Sequence, residues 1–170
     1  MVEPGIISFD IGTKHLAYCL LYNENNYKFN ILDISANSPK NRINNLFNSL
    51  DILPLPKMVV IEQQVAANEI AMTVQTAIEM FYLCHHIPIS DIVIYNPKDK
   101  FKYQGYKNFK GKEHKQLSIS YARNIIEKTN MDNLTIFENF SKKDDIADSL
   151  CMAMFVYLNN DKHKILSLIK

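Results

Sequence analysis

The sequence predicts an α/β fold with a mixed sheet, and three observations carry that prediction. Three β-rich runs open the chain with only short turns between them. Two more short apolar runs come later, alternating with segments whose apolar residues recur at helical spacing. No internal repeat, low-complexity tract or flexible linker interrupts the succession, so residues 1–170 read as a single domain. With 47% hydrophobic and 22% charged residues, the composition is that of an ordinary soluble globular chain and excludes a disordered one.

The first strand is Ile6 to Ile11, apolar apart from Ser8 and Asp10, with Gly12 marking the turn out of it. Leu16 to Tyr22 and Tyr27 to Ile34 are the second and third strands. Asn23-Glu24-Asn25-Asn26 between them reads as a hairpin connection. From Pro39, the residues Ile43, Leu46, Phe47 and Leu50 have the spacing of one helix face, and Pro54 and Pro56 end that segment. Met58 to Ile61 is a buried strand that delivers Glu62 at its end.

Asn68 suits an N-cap for a helix reaching about His86, with Ile70, Val74, Ala77, Ile78, Phe81 and Cys84 inward and Met72, Met80 and Leu83 off that stripe. Asp91 to Tyr95 is the fifth strand. A helix from about Lys112 turns Leu117, Tyr121, Ile125 and Ile126 inward. Leu134 to Phe137 is a short apolar run that fits either a strand or a helix. The last clear helix spans about Lys142 to Leu158, with Ile146, Ala147, Leu150, Cys151, Met154, Tyr157 and Leu158 on its core face. Residues 161–170 give no clear signal.

Several function classes lose support at once. No apolar run approaches the ~20 residues that span a bilayer, and no charged start precedes an apolar N-terminal segment, so neither export nor membrane insertion is expected. Cys19, Cys84 and Cys151 are odd in number and sit among apolar neighbours, as reduced core thiols of an intracellular protein do. The five histidines have no zinc-ligand spacing. There is no Gly-x-Ser-x-Gly elbow, and no glycine-rich nucleotide loop implies a small-molecule cofactor.

The net charge of +1 conceals a local asymmetry. Between Lys98 and Lys115 there are seven lysines against Asp99 and Glu113, a net +5. Lys98, Lys100, Lys102, Lys107, Lys110 and Lys112 are the candidate DNA contacts, interleaved with Phe101, Tyr103, Tyr106 and Phe109. Gly105 and Gly111 keep that backbone pliable. Lysines neutralise phosphates, and aromatic faces stack on unpaired bases.

Chemistry is expected from the acids. Asp10 and Glu62 each end an otherwise apolar strand, where an unpaired carboxylate costs several kcal/mol. Asp145 and Asp148 stand three apart near the start of the last helix. Acids in a first turn also complement the helix dipole, but Asp148 is a second turn in. Asp10, Glu62, Asp145 and Asp148 together could not all stay ionised without a cation between them. All-oxygen ligands suit Mg²⁺ or Mn²⁺, and two such ions about 4 Å apart clamp the attacking and leaving oxygens of a displacement at phosphorus, as in a nuclease.

Phe9-Asp10-Ile11-Gly12, Val60-Ile61-Glu62-Gln63 and Asp144-Asp145-Ile146-Ala147-Asp148-Ser149-Leu150 fall in the order and roughly at the spacing of the RuvC-type Holliday-junction resolvases, which the chain resembles from residue 6 to about 158. The Glu-Gln-Gln second motif and the Lys/Asn/Ile-rich composition are most similar to the poxvirus branch.

The resemblance implies a ribonuclease H-like sheet of five strands, three antiparallel and then two parallel. It also implies two Mg²⁺ per site, with Mn²⁺ able to substitute, held by Asp10, Glu62, Asp145 and Asp148. Lys112-Glu113-His114-Lys115-Gln116 resembles the family's lysine-bearing helix start, which places the catalytic lysine at Lys115. Many bacterial members have a histidine where Asp145 stands, and Asp144 competes for that position.

The implied substrate is the four-way junction, cut by paired symmetric nicks. Two matched nicks need two active sites, which a homodimer supplies at fixed separation. The Asn68–His86 helix, with its extra apolar positions, is the expected interface. For a poxvirus protein the implied location is the host-cell cytoplasm at viral replication sites.

Other readings remain open. Another ribonuclease H-like nuclease, of ribonuclease H or transposase type, would share the carboxylates, and a non-catalytic branched-DNA-binding module would need only the lysines. Asp10-Ile11-Gly12-Thr13 also begins the first phosphate loop of the actin and Hsp70 ATPases. That fold needs a second glycine-rich phosphate motif, which a chain with four glycines does not provide.

Overall fold

The computed structural model describes residues 3–99, 112–159 and 161–169. The strands are β1 (Ile6–Ile11), β2 (His15–Asn23), β3 (Asn26–Asp33), β4 (Met58–Glu62) and β5 (Ile92–Tyr95). The helices are α1 (Pro39–Leu50), α2 (Glu69–Cys84), α3 (Lys112–Thr129), α4 (Asp132–Asn139), α5 (Lys143–Tyr157) and α6 (Lys162–Ile169). The strands form one sheet in the order β3-β2-β1-β4-β5. Pairing is antiparallel between β1 and β2 and between β2 and β3, and parallel between β1 and β4 and between β4 and β5. This is the mixed sheet that the opening meander and the two later runs predict.

Side chains alternate between the two faces of the sheet, and the apolar core divides accordingly. Ile7, Phe9, Ile11, Val59 and Ile61 face α1 and α2 in one cluster. Ile6, Ala17, Cys19 and Val60 face α3 and α5 in the other. The alternation sends Ser8 and Asp10 of β1, and Glu62 of β4, toward the α5 side.

α5 is buried almost all round: every residue from Ser149 to Phe155 is inaccessible to solvent. Burying each large apolar side chain there stabilises the fold by ~1.5–3 kcal/mol. A buried hydrogen bond fixes its height over the sheet, the Ser8 hydroxyl donating to the Ser149 carbonyl at 2.6 Å. On the other face, α1 starts at Ser38, whose hydroxyl accepts from the Asn41 N–H, and α2 starts at Asn68, whose side chain accepts from the Ala71 N–H.

Several expectations need correction. Leu134 to Phe137, left open by the sequence, belongs to helix α4, whose Phe137 meets Phe29 edge-on at 6.2 Å. The buried stripe of α2 is Ala71, Val74, Gln75, Ile78, Phe81 and Tyr82. It is rotated by about one residue from the expected one, because the Tyr82 ring goes inward against Phe9. Ile70 is therefore 42% exposed, and Cys84, expected as a core thiol, is exposed at the helix end. Tyr157 is also exposed, at the last turn of α5. Residues Lys162–Ile169 form α6, held by Asn124 and Lys128 of α3, which donate to the Ile169 and Ser167 carbonyls. Among the described residues no helix is long and apolar enough to cross a membrane.

Candidate metal centre

The site is assembled at the end of the sheet where parallel β1 and β4 both finish, the usual place for ligands in α/β sheets. Phe9 of β1 pairs with Ile61 of β4, so Asp10 and Glu62 are the next residues along on neighbouring strands. Gly12 then turns the chain, its N–H bonding the His15 carbonyl at 2.9 Å. A Cβ at Gly12 would sit 2.6 Å from that same carbonyl oxygen, so no other residue fits the turn. The Ser8–Ser149 bond brings α5 across this sheet end and places Asp148, one residue before Ser149, above the two strand termini.

The result is a group of three carboxylates. Asp10, Glu62 and Asp148 each present an oxygen, and these oxygens all lie within 4.8 Å of one another at half-buried positions. Two like charges at that separation repel by about 3–4 kcal/mol in a partly buried setting. Each oxygen comes from a separate packed element, β1, β4 and α5. This donor set is hard, anionic and convergent, which suits a divalent cation with oxygen ligands and fits Mg²⁺ or Mn²⁺.

The other candidate residues stand around this group. Asp145 is outside it, with its carboxylate 3.9 Å from Lys142. Burial pushes the Asp145 carboxyl above its ordinary value, and the negative charge of Asp144 adds to that. Lys115 of α3 makes a short ion pair with Asp144. That hydrogen bond and charge raise the Lys115 ammonium above its usual value. Burial alone would raise Asp144, but the hydrogen bond and charge of Lys115 outweigh it and hold the carboxyl below the usual range. Asp144 therefore faces the lysine. Lys98 and Lys112 are exposed at the two ends of the basic segment. Lys100, Lys102, Lys107 and Lys110, with the interleaved aromatics, lie outside the described residues.

Three supporting residues escape a reading of residue types alone. Gln64 donates from Nε2 to the Glu62 carbonyl at 3.1 Å and to Glu62 Oε2 at 3.4 Å. Gln75, buried in α2, accepts from the Gln64 N–H at 2.9 Å and fixes that loop. Ser8 ties the strand to the helix. The legible signals were a lone hydroxyl within an apolar strand and a lone amide on a helix face.

Three solved structures share this fold. The fowlpox virus resolvase, in a complex with Holliday junction DNA, superposes with a TM-score of 0.65 at 21% identity, over 92% of this chain and 98% of that one. The yeast mitochondrial Holliday junction resolvase Ydc2 gives 0.61 at 18% identity, over 98% and 87%. Thermus thermophilus RuvC gives 0.57 at 15% identity, over 97% and 98%. No curated protein sequence matches the chain significantly. The fold is ribonuclease H-like. Residues 5–160 match the family model described as Poxvirus A22 protein, nearly the full length, and the chain belongs to that family.

Proposed function

We propose that the chain is a metal-dependent endonuclease that resolves four-way DNA junctions by paired symmetric nicks. The observation that carries this reading is the convergence of Asp10, Glu62 and Asp148 from β1, β4 and α5. Divalent ions bound there, two Mg²⁺ with Mn²⁺ able to replace them, would supply Lewis-acid stabilisation of the phosphoryl oxygens and a water nucleophile at neutral pH.

The chain's own residues do the rest. Asp10, Glu62 and Asp148 would hold the ions, and Asp145, on the first turn of α5, would be the fourth acid. The Gln64 amide keeps the Glu62 carboxylate turned inward. Lys115, oriented by Asp144, presents an ammonium to the charge that develops on the phosphate. Lys98, Lys100, Lys102, Lys107, Lys110 and Lys112 track the phosphates of the junction arms.

Support for this substrate comes from the fold relatives, among them the fowlpox virus resolvase solved with Holliday junction DNA. The 170 residues act as one nuclease domain. Two copies pair through α2, where Ile70 and Met80 are 42% and 50% exposed outside the buried stripe. The protein works inside the infected cell, at cytoplasmic replication sites.

Cleavage of a synthetic immobile four-way junction tests the reading. Symmetric nicks in Mg²⁺ or Mn²⁺ that vanish on chelation are expected. Equal cutting of a linear RNA–DNA hybrid would assign the site to a ribonuclease H type of nuclease instead.

A further inference from the structure

A polar cleft of about 690 Å³ opens between the β1–β2 turn and α1, lined by Lys14, His15, Asn37, Asn41, Asn44 and Asn45. Its walls are tied together. The Ile34 N–H donates to the Lys14 carbonyl, and the Asn45 amide donates to the Ser35 carbonyl, both closing the β3–α1 connection onto the turn. Asn37, Asn41, Asn44 and Lys14 stand exposed around the opening, and among the described residues their side chains make no hydrogen bond.

Among the described residues no carboxylate lines the cleft. Asp33, opposite His15 in the β2–β3 register, turns its carboxylate to the Ser35 N–H at 2.8 Å. A cation, an imidazole and several amide donors, with Asp33 tied back to Ser35 as the acid beside them, form a surface for a ligand rich in anionic and neutral oxygen acceptors. Side chains of these types supply the phosphate and sugar contacts of DNA-binding proteins.

The cleft opens at the same end of the sheet as the carboxylate group, with His15 on its lining. Asp10 pairs with Ala17 across β1 and β2, and His15 is two residues further along β2. That displacement is ~7 Å along the strand, close to one nucleotide of an extended backbone. A strand whose phosphate sits at the carboxylates therefore has its neighbouring phosphates within reach of the cleft.

Resting on the nuclease reading above, we propose that this cleft holds the sugar–phosphate backbone of the DNA strand flanking the cut, with Lys14 as its cation and Asn37, Asn41 and Asn44 as donors. It is a second DNA contact, separate from the basic segment 98–115, and it sets the path by which the strand leaves the metal centre.

The test measures binding of an immobile four-way junction in EDTA across a salt series, for the wild type, Lys14→Ala and the double variant Asn41→Asp/Asn44→Asp. Lys14→Ala removes one phosphate contact, which flattens the slope of log K against log salt by about 0.9. The double variant sets two carboxylates against the backbone and weakens binding by about tenfold or more. Wild-type affinity and slope in both variants would overturn the cleft assignment and leave the nuclease reading standing. A wild-type chain that binds no junction would overturn both. Thermal melting checks that the double variant folds, and if it does not, the Lys14→Ala slope decides.

Discussion

The two faces of the sheet are built differently. On one, α5 lies almost wholly out of solvent, pinned by the Ser8–Ser149 bond and flanked by α3, α4 and α6. On the other, α1 and α2 cover the sheet with a single apolar stripe each and leave Ile70 and Met80 in water. The acids stand at the border of the tightly packed face, where a helix that cannot shift holds Asp148 against two strand ends. The other face leaves Ile70 and Met80 exposed, the apolar area proposed above to meet a second copy. Rigidity and stickiness are thus segregated, which suits a centre needing sub-ångström positioning on one side and a second copy on the other.

This contrast can be tested by cutting into each face. Leu150→Ala, in the sealed part of α5, should cost ~2–5 kcal/mol in urea unfolding, because the surrounding helices cannot collapse into the space. A loss no larger than that of an exposed substitution would mean that this face is not the rigid one. Ile70→Ser together with Met80→Ser should leave the unfolding midpoint within about 0.5 kcal/mol of wild type. It should also raise the dimer dissociation constant about tenfold or more in analytical ultracentrifugation. An unchanged sedimentation profile would remove α2 from the interface.

A smaller effect concerns the rim of the packed face. Glu138 of α4 bonds Arg123 of α3 at 2.9 Å and pairs with Lys143 of α5 at 3.1 Å. The hydrogen bond from Arg123, joined by that from Lys143, lowers the Glu138 carboxyl below its ordinary value. A depressed folded-state value gives stability that is present above the unfolded glutamate value and is lost as pH falls through the folded one. The carboxylate is substantially exposed, so Glu138→Gln should cost at most about 1 kcal/mol at neutral pH. Once pH has fallen well below the depressed folded value, the variant and wild type should melt alike. A difference that persists at low pH would show that the side chain acts by packing.

Much of this was legible because the strands carry their message locally. An apolar run ending in one acid, as at Asp10 and at Glu62, reports a strand with a carboxylate at its end, and the structure has buried strands β1 and β4 there. The end of the sheet at which those acids meet follows from the parallel pairing. Longer-range facts were not legible. Helical spacing fixes a stripe only to within a residue, so Cys84 and Ile70 were assigned inward when Tyr82 and Gln75 are. Leu134 to Phe137 was too short to show a period, and the partner that decides it, Phe29, lies a hundred residues away. α6 needs the donors of α3 to hold its last carbonyls. Asp144 and Asp145 are adjacent acids whose roles separate only when Lys115 and Lys142 are seen beside them.

The most direct measurement is the rate at which Asp10→Asn nicks an immobile four-way junction in Mg²⁺, set beside its affinity for the same junction. Loss of one ion-holding charge should slow nicking by at least ~10³-fold, about 4 kcal/mol in the barrier, while junction affinity stays near that of the wild type. Nicking at the wild-type rate would contradict the claim that these three carboxylates are the catalytic centre.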